Sequence, residues 1–169
     1  MKTLSVYVIL FVVSVLLGSC RDGELSEDDK KFMSLAGSAG IMEVEMGKLA
    51  QQRGVRPDVR HYGDQMVKEH TEINTEFLEL AQRLQVEVPD EMNEDNQRMV
   101  RDLAALQGNP FDAKYIDTMI ADHGLAVKLF QKAHDDAKNK AYKKWLAKMI
   151  PVVAHHLKMA ENLKTSQPN

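Results

Sequence analysis

Four side chains that can bind a metal ion stand within four separate apolar stripes of the sequence. They are Glu43, His70, His123 and His156, and each lies between apolar residues spaced three or four positions apart. This spacing places each side chain on the apolar face of a helix, which faces the core of a helical protein. A buried polar group without a partner costs ~1–3 kcal/mol. The pattern therefore predicts that the four side chains meet in the core.

Three imidazoles and one carboxylate suit a single divalent metal ion. Di-iron helical proteins instead carry Glu-x-x-His steps whose carboxylates bridge two metals. Three residues before His70 and His123 the sequence has Val67 and Ile120, so the bridging carboxylates are missing. We expect one divalent ion and no organic cofactor. A hydrogen-bonded histidine–glutamate cluster without an ion would satisfy the same groups and stays open as the alternative.

Further polar residues are expected around such an ion. Glu69 and Asp122 directly precede a histidine, so each lies about 100° around its helix and faces a neighbouring helix. The same outer set includes Asn74 and His155. The stepping neighbours of three histidines are partly charged, so these histidines are expected to face water: His61, His134 and His155.

The elements that would position these side chains are helices. Helix one is predicted to run from Ser26, which is its N-cap, to about Arg53, and its apolar stripe includes Leu35. Helix two is predicted to run from Pro57 to Leu84. A long connection, 85–108, contains a shorter helix at 92–106. Helix three opens at Asn109-Pro110, and helix four follows a polar break at 135–139. Two antiparallel pairs joined by a long crossover predict an all-α, ferritin-like four-helix bundle over residues 27–164, with a short tail at 165–169.

The N-terminal segment predicts export and anchoring. A lysine and an apolar run, 6–17, precede Leu17-Gly18-Ser19-Cys20, and the run is shorter than the ~20 residues that span a bilayer. Residues 1–19 are predicted to be a lipoprotein signal peptide, Cys20 the lipidated residue and 20–26 a short linker. A plain secretory signal with an incidental cysteine is the alternative. Arg21 stands where an aspartate would favour the inner membrane, so an outer-membrane location is preferred.

Composition and motifs narrow the function. The chain has 25 acidic and 22 basic residues, which gives no basic surface for nucleic acid. No Ser-His-Asp order, phosphate loop or cofactor fingerprint occurs, and four protein ligands would leave no position for a substrate, so we do not expect an enzyme. We expect a membrane-anchored metal-binding protein for buffering or sensing. The alternative is a non-catalytic interaction or envelope-stress module with a structural histidine–glutamate cluster. The sequence identifies no protein partner.

The sequence also resembles a known family. The matching stretches are 41–50 around Glu43, 66–74 with Glu69-His70, 115–126 with Asp122-His123, and 151–160 with His156. From about Glu27 to Leu163 the chain resembles the exported bacterial domain-of-unknown-function 4142 family, whose members are often labelled outer membrane proteins. The resemblance implies a ferritin-like fold and an envelope location. It implies no reaction, because the family has no settled activity.

Overall fold

The computed structural model describes residues 23–166. The predicted signal peptide and Cys20 lie outside this range. Within it the chain forms five helices and no strand, which confirms the all-helical prediction. The helices are α1 (Glu27–Arg53), α2 (Pro57–Leu84), α3 (Glu94–Ala104), α4 (Gly108–Asp136) and α5 (Lys140–Thr165). None of these helices is long and apolar enough to cross a membrane.

Local sequence signals set the helix ends. Ser26 and Asp29 form a reciprocal capping box at the start of α1, and Pro57 occupies the first turn of α2. The crossover helix α3 is shorter than predicted at both ends. Its start is set by Asn93, which caps the helix by accepting a hydrogen bond from the Asn96 amide (2.8 Å). Asn139 caps α5 in the same way.

The helices pack as two pairs that also contact each other. α1 packs against α2 and α4 against α5, while α1 also touches α4 and α2 touches α5. The end of α1 shares a core cluster with the start of α2, so the two helices run antiparallel, and the same holds for α4 and α5. Glycines bring α1 and α2 close together: a Cβ atom on Gly63 would lie 2.8 Å from the Gly47 carbonyl oxygen.

The apolar core is divided into two clusters. The first core cluster holds Met46, Tyr62, Met66, Phe111, Met119 and Leu163 among others. The second core cluster includes Met33, Phe77, Leu80, Tyr142, Trp145 and Leu146. On α2, α4 and α5 the inward histidines fall in sequence between residues of the two clusters. The polar residues therefore form a layer between two apolar regions.

One residue of the predicted stripe lies outside this core. Leu35 of α1 is 60% exposed, although periodicity placed it on the apolar face. It borders a groove between α1 and α4, where no further helix covers it. The prediction that Leu35 is a core residue is wrong for this reason.

Candidate metal centre

The structure buries all four side chains that the sequence pattern selected. Glu43 is 3% exposed, His70 8%, His123 2% and His156 0%. They come from α1, α2, α4 and α5 in turn, so each helix of the two pairs contributes one side chain. Burial of this depth removes water as a hydrogen-bond partner, so the groups must be paired within the protein or by a ligand.

The three histidines form one compact group. The ring centroids are 5.1 Å apart for His70 and His156, 5.4 Å for His123 and His156, and 5.8 Å for His70 and His123. One ring nitrogen of each lies within 4.8 Å of the others. Tetrahedral coordination at ~2.0–2.1 Å requires nitrogens ~3.4 Å apart. Side-chain movements on the order of 1 Å would therefore bring the three nitrogens to bonding distance.

Hydrogen bonds fix the orientation of two of the rings. His156 donates from Nε2 to the Glu69 carboxylate (2.6 Å), and this leaves its buried Nδ1 without a partner. His123 donates from Nδ1 to the Met119 carbonyl oxygen (3.1 Å), which leaves the lone pair of Nε2 available. Both acceptors lack a proton to donate, so they determine the tautomer. A histidine that donates one N–H to a carboxylate or carbonyl and offers the other nitrogen is the usual arrangement of a metal ligand.

The carboxylate of Glu43 lies beside this group rather than among its ring nitrogens. Its Oε1 is 3.8 Å from Nδ1 of His123, and a protonated Glu43 can share a hydrogen bond with the neighbouring Asp122 carboxyl group. Glu43, Asp122 and His123 form a second group with ligand atoms within 4.8 Å of one another. His123 thus belongs to both groups, and Asp122, predicted in the outer set, is placed next to Glu43.

Burial makes the imidazoles neutral near pH 7. Burial and the neighbouring His156 lower the pKa of His123 to about 4, against opposition from Asp122 and the Met119 carbonyl. Burial and the two other rings hold the pKa of His70 well below its usual range. Burial also lowers the pKa of His156, although its hydrogen bond to Glu69 acts in the opposite direction. Neutral imidazole is the form that binds a metal ion.

The carboxyl groups are shifted in opposite directions. Burial raises the pKa of Glu43 well above its usual range, and the adjacent Asp122 raises it further. Partial burial acts to raise the pKa of Glu69, but hydrogen bonds from His156 and Gln65 outweigh it, so the pKa of Glu69 is lowered. Glu69 is therefore the stable anion of the site, while Glu43 gains most from a neighbouring positive charge.

The remaining predicted residues lie further out. Asn74 lines a cavity that also contains His70 and Glu43 in its wall. His155 is exposed, with its ring centroid 6.4 Å from that of His156, and His61 is exposed as well. His134 is partly buried and contacts Asp135. The pattern missed Tyr62, whose hydroxyl donates to the His156 carbonyl oxygen (3.2 Å); its place on the α2 stripe two turns before His70 is the signal that could have found it.

Comparison with known proteins gives a family and no activity. A family model described as a domain of unknown function, DUF4142, matches residues 16–163. The match covers most of the sequence and spans Glu43 and all three buried histidines. No curated protein and no solved structure matches the chain.

Proposed function

We propose that this chain, which belongs to the family of domains of unknown function DUF4142, is a lipid-anchored envelope protein that binds one divalent metal ion in the core of a ferritin-like helical bundle. His70, His123 and His156 provide nitrogen ligands, and Glu43 provides the carboxylate. Glu69 holds the His156 ring in position. The ion is buffered or sensed rather than used in catalysis.

The observation that carries the proposal is the set of buried polar atoms without partners. Within residues 23–166 the buried His70 Nε2 and His156 Nδ1 lack a hydrogen-bond partner, and the buried Glu43 carboxyl has the neighbouring Asp122 carboxyl to share a proton with. Buried polar atoms of native proteins are nearly always paired, and each unpaired one costs ~1–3 kcal/mol. A purely structural cluster would pair these atoms with one another. A cation instead satisfies carboxylate oxygens and imidazole lone pairs together.

The chemistry of the donor set favours zinc as the ion to test first. Neutral imidazole nitrogens and one carboxylate are typical zinc ligands, and zinc accepts a tetrahedral set without preference from d electrons. Thiolate ligands are absent from residues 23–166, whose sequence contains no cysteine. Four protein ligands leave no position for a substrate, which favours buffering or sensing.

The fold and the location support the same proposal in part. Two antiparallel helix pairs joined by a crossover that contains α3 are the arrangement of ferritin-like bundles, in which metal ligands project inward from facing helices. The predicted lipid on Cys20 would hold the domain at a membrane surface outside the cytoplasm. Mass spectrometry of the purified protein tests the lipid: a diacylated Cys20 is expected, and an unmodified cysteine would contradict the anchor without affecting the metal site.

Metal binding is tested by zinc titration of the metal-free protein. We expect about one zinc per chain in calorimetry, and a free energy of unfolding that rises by ~2.7 kcal/mol when free zinc reaches about 100 times the Kd. The double variant His70→Ala, His123→Ala is expected to lose this binding. His61→Ala, an exposed histidine on the same helix as His70, is the matched control and should bind as the wild type does.

The wild-type protein alone can overturn the proposal. If the free energy of unfolding of the metal-free protein does not change when zinc, copper or iron is added, the cluster is structural, as in the interaction-module alternative. Loss of zinc binding in His61→Ala together with retention in the double variant would place the ion elsewhere on the chain. The first of these results stands even if the double variant fails to fold.

A further inference from the structure

An apolar cavity lies beside the histidine layer. It has a volume of about 70 Å³, and Glu43, His70 and His123 belong to its wall. Most of the remaining wall consists of side chains without hydrogen-bonding groups: Ala36, Ile73, Phe77, Phe130, Met149 and Val153. This space is therefore suited to an apolar occupant in contact with the polar layer.

The cavity adjoins a groove on the surface, which we call the α1–α4 groove. The groove has a volume of about 100 Å³ and is lined by Phe32, Leu35, Leu125 and Leu129 together with residues that it shares with the cavity: Ala36, Ala39, Asp122, Ala126 and Phe130. Three of the shared residues are alanines, whose small side chains leave space between the helices. The two volumes therefore share one wall at the α1–α4 contact.

The groove is apolar where it meets solvent. Leu35 is 60% exposed, Leu125 55% and Leu129 42%. Exposing large apolar side chains costs about 25 cal/mol per Å² of surface that could be buried. Single exposed apolar side chains are common on protein surfaces, but a row of them along one groove marks a binding surface. These leucines give the groove a mostly apolar lining, in which, among residues 23–166, Asp122 is the one charged residue.

We infer that the cavity and the α1–α4 groove bind a small, uncharged apolar molecule of about the size of a benzene ring. The size follows from the two volumes, since an apolar cavity of ~150 Å³ is large enough for benzene. The charge follows from Asp122 in the shared wall, because its carboxyl group disfavours an anionic ligand. This binding does not require the metal ion.

The chain provides its own reporter for a test. Trp145 is the only tryptophan in the sequence and forms part of the cavity wall. Benzene is titrated into the full-length protein, with and without zinc, while tryptophan fluorescence and the melting temperature are followed. We expect a saturable change in fluorescence and a rise in melting temperature in both conditions. Benzoate, which has the same ring with a negative charge, should cause neither.

Matched variants locate the binding site. Ala126→Leu adds an isopropyl group to the shared wall and is expected to weaken benzene binding at least roughly tenfold, which corresponds to ~1.4 kcal/mol. Ala121→Leu makes the same change at an exposed position of α4 and should bind benzene as the wild type does. Ala39→Val fills the same space less and serves if Ala126→Leu does not fold.

Three results would overturn the inference. They are no fluorescence or thermal response of the wild type up to the aqueous solubility of benzene, equal binding of benzoate, and unchanged benzene affinity in both filling variants. A protein that binds benzene but not zinc would contradict the metal proposal alone, and the reverse result would contradict only this one.

Discussion

The buried histidines should make the metal-free protein lose stability in mild acid. His123 keeps a pKa of about 4 in the folded protein, against an ordinary value of 6.5 in the unfolded chain. Between these two values the unfolded chain binds more protons than the folded one, so the free energy of unfolding falls as the pH falls. The experiment therefore compares the free energy of unfolding at about pH 7 and at about pH 4.5, for the wild type and for His123→Asn.

The magnitude follows from the pKa difference. Each unit of difference between folded and unfolded pKa is worth ~1.4 kcal/mol, so protonation of His123 in the unfolded chain costs the folded protein on the order of 2 kcal/mol at pH 4.5. His70 and His156 have lowered pKa values and act in the same direction. Glu43 has a raised pKa, so its contribution has the opposite sign: stability is lost as the pH rises from 4.5 through its folded pKa. Comparison with His123→Asn removes the contribution of His123 together with the part of the His70 shift that the His123 ring causes.

The assay is urea unfolding followed by circular dichroism in the presence of a chelator. Asparagine can still donate to the Met119 carbonyl oxygen, so the variant keeps that contact and loses only the titration. Wild type should lose on the order of 2 kcal/mol more than His123→Asn between the two pH values. His61→Asn, at an exposed position, should behave as the wild type does. Equal losses in wild type and His123→Asn would refute the claim that His123 is buried in its neutral form.

Two further predictions concern the ring orientation and the helix contact. Glu69→Ala removes the carboxylate that holds His156 and should weaken zinc binding ~10–100-fold in calorimetry. The control Glu72→Ala changes an exposed residue on the same helix and should leave zinc binding unchanged. Equal zinc affinity in the two variants would contradict the role of Glu69. Gly63→Ala would place a Cβ atom 2.7 Å from that of Ala50 and should lower the free energy of unfolding by ~1–3 kcal/mol in urea. The control is Gly124→Ala, whose Cβ would lie 4.0 Å from its nearest atom, and it should be neutral or stabilising by up to ~1 kcal/mol. If both variants lose a similar amount of free energy of unfolding, the loss in Gly63→Ala does not come from close contact between α1 and α2.

The helices could be predicted from the sequence because their ends carry strong local signals. Ser26 with Asp29 begins α1, and Pro57 begins α2, as the pattern predicts. The crossover helix has weaker signals, and its predicted length was too great at both ends. Leu35 shows the other limit: periodicity identifies an apolar position but not whether another helix covers it.

The inward direction of the site residues followed from helical periodicity, whereas their partners did not. Period 3.6 places Glu43 and the three histidines on the core face, and the structure buries all four. Which residue meets which across the core depends on the rotation and spacing of the helices. The sequence could not show that Asp122 lies beside Glu43, whereas the contact between His123 and the Met119 carbonyl is local, four residues apart on α4. The cavity depends on the same spacing, since Ala36, Ala39 and Ala126 read as ordinary core residues in the pattern.

The distribution of one proposed ligand on each of four helices affects how fast an ion could leave. Glu43, His70, His123 and His156 are all less than a tenth exposed, and no two share a helix. Release therefore requires α1 and α4 to separate along the groove between them, or another helix to leave its neighbours, a local opening whose rate amide hydrogen exchange can measure. An ion held there would dissociate no faster than those amides become accessible, so a chelator would remove it at a rate independent of chelator concentration. Such slow turnover would let the protein keep a record of past metal exposure longer than a surface site could.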